Sequence, residues 1–168
     1  MSDERCVRCD GEGVRDPRPE SRVRVAPDAE EIGLAHMLAD LVRQNLEAHP
    51  ERVRALERLR LRVGIRARDA EVELTLAFGG GVMEVRGGIG SDVDLEIDAS
   101  ADAILALPLI RTGPLGLPAF WEPPALDVLR RAMRGELRLR PRSLAAMPGM
   151  LPQLGALAEL LSAAESGR

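Results

Sequence analysis

The sequence predicts a two-layer α+β domain, in which helices cover one face of a five-stranded, mainly antiparallel sheet. Three observations carry the prediction. Residues 58–68 and 71–78 place apolar side chains at every second position with mostly charged ones between, the mark of half-buried strands. The charged faces of successive strands carry definite signs. Apolar residues at helical spacing flank the strands on both sides in the chain.

The first helix is predicted over residues 29–49, with Asp28 as N-cap and Glu31 completing a capping box. Leu34, Leu38, Leu41, Val42 and Asn45/Leu46 share one face. Pro50 ends this helix and opens a short second one, in which Val53 and Leu56 face the core.

In the first strand, Leu59, Leu61, Val63, Ile65 and Ala67 point inward against five outward arginines. In the second, Val72, Leu74, Leu76 and Phe78 oppose Glu71, Glu73 and Thr75. A tight turn at Asp69-Ala70 sets Arg66 opposite Glu73, Ile65 opposite Leu74 and Val63 opposite Leu76. Unlike charges then pair outside and apolar residues pair inside. Gly79-Gly80-Gly81 is a turn into a third strand, residues 82–86. After the loop 87–91, residues 92–98 form a fourth strand with Val93, Leu95 and Ile97 inward. Ser100 caps a short helix to about residue 107. Residues 108–124 are a long Pro/Gly loop, 124–134 a helix, and 136–140 a fifth strand with Leu137 and Leu139 inward. Residues 143–164 are an apolar helical tail, broken near Pro148-Gly149 and Pro152.

Like charges directly opposite each other destabilise a sheet. The first and fifth strands are basic outside, the second and fourth acidic. Strands two and four therefore avoid each other, and the order 3-2-1-4-5 alternates the signs. The charged face meets water and the apolar face lies under helices.

Composition narrows the function. The net charge is −4 and aromatics make up 2% of the chain. Single-stranded nucleic acid needs stacking platforms and a concentrated basic surface, so no nucleic-acid partner is expected. All 23 cationic Lys/Arg positions are arginine. No apolar run approaches the ~20 residues of a membrane span, and the N-terminus lacks a secretory pattern. A cytoplasmic protein is expected. Residues 1–27 read as a Cys-pair appendage and linker, and 28–168 as the binding domain.

Three segments, LVRQNLEAHPERVRALERLRL (41–61), DVDLEIDASADAILAL (92–107) and MRGELRLR (133–140), together resemble the sterol carrier protein 2 domain. The resemblance covers about residues 30–165 except the loop 108–124. It implies a five-stranded sheet with helices on one face enclosing an apolar tunnel, and a ligand of the fatty acyl or sterol class. It implies lipid carriage and no catalysis; no catalytic constellation is found in the sequence. Two departures stand out: the loop before Pro124, and Pro141 where the family often has a second glycine.

The tunnel lining is assigned element by element. Ile104 comes from the capped helix, Phe120 and Trp121 from the long loop, and Leu129 and Met133 from the following helix. Met147, Met150, Leu151, Leu154 and Leu157 come from the tail. Thioether chains repack around variable ligands. An apolar residue at such spacing also suits an ordinary core. The competing reading is therefore a protein-interaction module with a filled core.

Cys6 and Cys9 stand in C-x-x-C-x-G-x-G, similar to one zinc repeat of the J-domain co-chaperones. A structural zinc takes four ligands. Two readings stay open: a zinc shared between two chains, each giving Cys6 and Cys9 and so making a homodimer, or a tail with two free thiols. No other cofactor is called for. His36 and His49 read as surface histidines.

Overall fold

The computed structural model describes residues 19–106, 137–143 and 147–161. In chain order these form α1 (Pro19–Arg22), β1 (Val23–Val25), a 3-10 turn (Pro27–Ala29), α2 (Gly33–Ala48) and a second 3-10 turn (Pro50–Arg52). Then come α3 (Val53–Arg58), β2 (Arg62–Ala67), β3 (Val72–Gly79), β4 (Val82–Gly87) and β5 (Leu95–Ala99). α4 (Ala101–Ala106), β6 (Arg138–Pro141) and α5 (Met147–Leu161) complete them.

The sheet order is β1-β4-β3-β2-β5-β6. The five expected strands are β2 to β6, and they stand in the predicted order. Two findings correct the expectation of a five-stranded, mainly antiparallel sheet. A sixth strand, β1, lies parallel to β4, within the stretch read as linker. β2 and β5 are also parallel, so the sheet is mixed. The cause is the connection after β4. Two hairpins leave β4 running in the direction of β2, and residues 88–94 cross back over the sheet before β5 begins.

The β2–β3 register is the predicted one: Val63 opposite Leu76, Ile65 opposite Leu74, Arg66 opposite Glu73. β3 and β4 are joined by Gly80 and Gly81, with φ of 63° and 76°. Two consecutive left-handed residues make the two-residue hairpin that matches strand twist.

Helix α2 buries Leu34, Leu38, Val42 and Leu46 as its spacing predicts. Its start differs from expectation. Asp28 lies in the 3-10 turn, and Ile32 precedes the helix without a side-chain cap. Packing explains this. Ala29 is fully buried, and a β-carbon at Gly87 would collide with the Asp28 carbonyl oxygen. The backbone at 27–29 is thus pressed onto β4 and cannot join the helix.

Ser100 does cap α4, accepting from the Ala103 amide at 3.3 Å. Asp69, in the β2–β3 turn, accepts from the Ala101 amide at 2.7 Å. Helix α5 runs unbroken through Pro152, against the expected interruption. Tertiary contacts fix it on the far side of the proline. Gln153 Oε1 accepts from the Arg60 amide at 2.8 Å, and Glu159 pairs with Arg58 at 3.5 Å.

The inner faces of β2, β3 and β4 and the apolar faces of α2 and α3 form one buried cluster. Each fully buried Leu, Val or Met contributes about 1.5–3 kcal/mol of transfer free energy.

Candidate functional site

The apolar face is sealed on one side and open on the other. On β4, Met83 and Val85 are wholly buried. On β2, Val63 and Ile65 are 1% and 3% exposed. On β5, Leu95 and Ile97 reach 6% and 8%. On β6, Leu139 is 57% exposed. Leu139 pairs directly with Ile97, so both side chains share the inner face. The helices explain the gradient: α2 packs on β1 and β4, α3 on β3 and β4, and α5 on α2 and α3. Leu139 lies on the inner face of the last strand as expected but is not covered, whereas Leu137, expected inward with it, is buried in the core.

The predicted lining residues divide. Ile104, Met150 and Leu157 are buried, and Leu154 is half-buried against them. All four join the cluster that contains Leu95 and Ile97. Met147 and Leu151 lie on α5, their side chains outside the described residues. Phe120, Trp121, Leu129 and Met133 also lie outside the described residues, as do Cys6 and Cys9 with the loop 108–124 and the helix 124–134. Among the described residues no group of three or more His, Cys, Asp or Glu side chains is placed to hold a metal ion.

Asn45 is a residue whose role the helical pattern did not supply. It sits on the apolar face of α2, 6% exposed, and its amide donates to the carbonyls of Leu160 and Leu161. Those carbonyls end α5 and have no partner within it. The signal was a polar side chain at an apolar helical position.

The outer face is a charged lattice. Arg66 donates to Glu73 at 2.8 Å and pairs with Glu96 at 2.9 Å. These carboxylates raise its pKa above the ordinary arginine value, the Glu73 hydrogen bond most. Arg68 holds Asp98 at 2.7 Å, and Arg62 holds Asp92. Residues 88–94 cross this face. Ile89 and Val93 close over Gly64, where a β-carbon would sit 2.9 Å from Ile89 Cγ2, and Thr75 Oγ1 donates to the Gly88 carbonyl at 2.7 Å. Val93, expected inward on the fourth strand, therefore packs on the outer side. Two open grooves flank the crossing. One of about 320 Å³ lies by Arg24, Arg62 and Glu84, and one of about 380 Å³ by Arg66, Arg68 and Glu71. The second is lined mainly by charged residues, while the first adds Ala77, Phe78, Gly79 and Val82 to its three charged ones.

The two histidines have local partners. His36 Nε2 lies 2.7 Å from the Glu30 carbonyl, and His49 Nδ1 lies 3.0 Å from Glu51 Oε1. No helix among the described residues is long and apolar enough to cross a membrane.

No family model matches the chain, and no curated protein does. Solved structures are similar, two of which follow. A "UbiJ-SCP2 Ubiquinone synthesis protein" is 21% identical, with a TM-score of 0.50 over 77% of this chain and 95% of that one. A structure described as "Crystal structure of sterol carrier protein 2" is 18% identical, with a TM-score of 0.42 over 73% and 91%. The likeness to the first shows the fold: an open mixed sheet with helices, of the sterol carrier protein 2 type.

Proposed function

We propose that this chain, starting from its sterol-carrier-type fold, binds an apolar molecule of the fatty acyl or sterol class and carries it unchanged. The ligand lies against the inner face where that face opens from β5 to β6. One observation carries the reading: Leu139 is 57% exposed although it continues the sealed apolar row of Ile65 and Ile97. The first solved neighbour is described as a ubiquinone synthesis protein. Ubiquinone is a lipid quinone, which supports an apolar ligand here too.

Burial of an alkyl chain supplies the affinity. A ~16-carbon chain gains about 0.8 kcal/mol per methylene before the loss of ligand freedom is subtracted. Micromolar or tighter binding follows, and a pure binding role asks nothing of a nucleophile or base. The lining combines Ile104, Met150, Leu154 and Leu157 with Leu139. Phe120, Trp121, Leu129, Met133, Met147 and Leu151 complete the proposed tunnel.

The test is titration of the full chain with a fluorescent fatty acid and a fluorescent sterol, alongside native mass spectrometry of freshly purified protein. Saturable uptake of either probe is expected. A chain that takes up neither, and carries no apolar adduct, is not a lipid carrier.

A further inference from the structure

We propose that Asp69 is a positioning residue for the apolar site: by holding the N-terminus of α4 it sets where Ile104 walls that site. The role rests on the carrier reading and fixes one rim of the opening. Leu137 and Leu139 lie two residues apart and face the same way, yet Leu137 is buried and Leu139 is exposed. The register shows which element makes the difference. Arg138 stands opposite Asp98, so residue 137 falls beside Ala99, where β5 ends and the chain turns into α4. Ala103 and Ile104, on α4, are buried in the same apolar cluster as Ile97 and Leu137. α4 thus stands over the Leu137 end, and the opening starts at Leu139.

α4 is too short to hold itself there. It has six residues, below the ~12–15 at which an isolated helix becomes even marginal in water, and its first amides have no partner within it. The corner between β2 and β5 supplies the hold. The Arg68 amide donates to the Ala99 carbonyl at 3.0 Å, and the Arg68 guanidinium holds Asp98 at 2.7 Å. One residue further on, Asp69 Oδ1 accepts from the Ala101 amide at 2.7 Å. Ser100 serves the next donors from within: its Oγ accepts from the Ala103 amide and its carbonyl from the Ile104 amide. Of these contacts, the one from Asp69 alone reaches α4 from elsewhere in the chain, 32 residues away. Glu71, in the same turn, holds a φ of 52°. A residue other than glycine keeps such a backbone only where its surroundings fix it, so the turn is a firm support.

The chemistry of the side chain suits this task. A carboxylate makes a stronger hydrogen bond to a backbone amide than a neutral acceptor does. Asparagine keeps the acceptor and loses the charge; alanine loses both. A side-chain cap is worth roughly fivefold in the equilibrium that fixes a helix start. Where α4 swings free, binding must order it again, and affinity falls with the docked fraction.

The experiment is titration of the full chain with the fluorescent fatty acid and the fluorescent sterol. It is run on the parent, Asp69→Ala, Asp69→Asn and Gly87→Ala, with urea unfolding and amide exchange on the same proteins. Asp69→Ala should bind about fivefold more weakly, and Asp69→Asn should come within about twofold of the parent. The amides of Ala101, Ala103 and Ile104 should exchange faster in the alanine variant and recover in the asparagine one. Gly87→Ala, strained on β4 near the opposite edge of the sheet, should lose stability and bind like the parent. A merely structural role for Asp69 gives another pattern: affinity follows the urea midpoint, and Gly87→Ala binds more weakly too. That pattern overturns the proposal. So does an Asp69→Ala chain that binds like the parent, or an asparagine variant as weak as the alanine one. A parent chain that takes up neither probe sinks the carrier reading itself. A parent that binds beside an equally tight Asp69→Ala leaves that reading standing and removes only the role of Asp69.

Discussion

Asn45 Nδ2 donates to the Leu160 carbonyl oxygen at 3.1 Å and to that of Leu161 at 3.3 Å. One buried amide thereby ties the last turn of α5 to α2. Asn45→Ala leaves buried carbonyls unsatisfied, at a cost of about 1–3 kcal/mol. Asn45→Leu keeps the volume but still lacks the donor, so it should not restore stability. Urea unfolding measures the loss. Amide exchange should locate it in α5, with residues 154–160 exchanging faster than β2 or β3.

Much of this architecture is readable from charge and period. The register of Arg66 against Glu73 and the separation of β3 from β5 both follow from the rule that like charges avoid facing each other. What escaped reading lacks a local signal. β1 has three residues, too few for a period, and its Val23 is recognised as buried only once β4 lies beside it. The parallel β2–β5 pairing depends on the path of residues 88–94, and Val93 turns outward because that path crosses Gly64. Asp28 satisfies every local requirement of an N-cap and is overruled by the contact with Gly87. Of the candidate site, the membership of Ile104, Met150, Leu154 and Leu157 in one apolar cluster was legible, while the exposure of Leu139 was not. Period two fixes the face of a side chain but not what covers it.

Gly87 and Gly79 stand at the ends of their strands but should respond oppositely to a methyl group. At Gly87 a β-carbon would collide with the Asp28 carbonyl oxygen; at Gly79 nothing lies within 4 Å. The Asp28 backbone is fixed by its 3-10 turn, so Gly87→Ala should lose about 2–3 kcal/mol, in the range of overpacked cores. Gly79→Ala should be neutral or gain up to about 1 kcal/mol through the unfolded chain. Thermal or urea denaturation of the pair decides. Equal stabilities would contradict the close approach of the 3-10 turn to β4.

Acid should act locally at Glu51. Its carboxyl is held below the ordinary glutamate range, first by a backbone hydrogen bond and then by its contact with His49. A carboxyl depressed in the folded state adds stability that is present above the unfolded pKa and lost as pH falls through the folded one. Glu51→Gln should therefore differ from the parent at neutral pH and converge with it in acid. The group is fully exposed, so the effect should be small. NMR titration of the Glu51 side chain gives the direct check: a midpoint at or above the free-glutamate value would refute the assignment.

Leu139 and Leu74 separate binding from folding. Both lie on the inner face, but Leu74 is fully buried and Leu139 is 57% exposed. Leu74→Ala should cost about 2–5 kcal/mol, because the cavity it leaves cannot collapse fully. Leu139→Ser should change stability by no more than about 0.5 kcal/mol, as exposed substitutions do. If a lipid chain covers Leu139 in the complex, the serine variant loses that contact, about 1.5 kcal/mol or roughly tenfold in affinity. Probe titration and urea unfolding on the same two proteins give four numbers. A Leu139→Ser protein that keeps its stability and full probe affinity would place the ligand elsewhere. One that loses stability as Leu74→Ala does would show that β6 belongs to the sealed core.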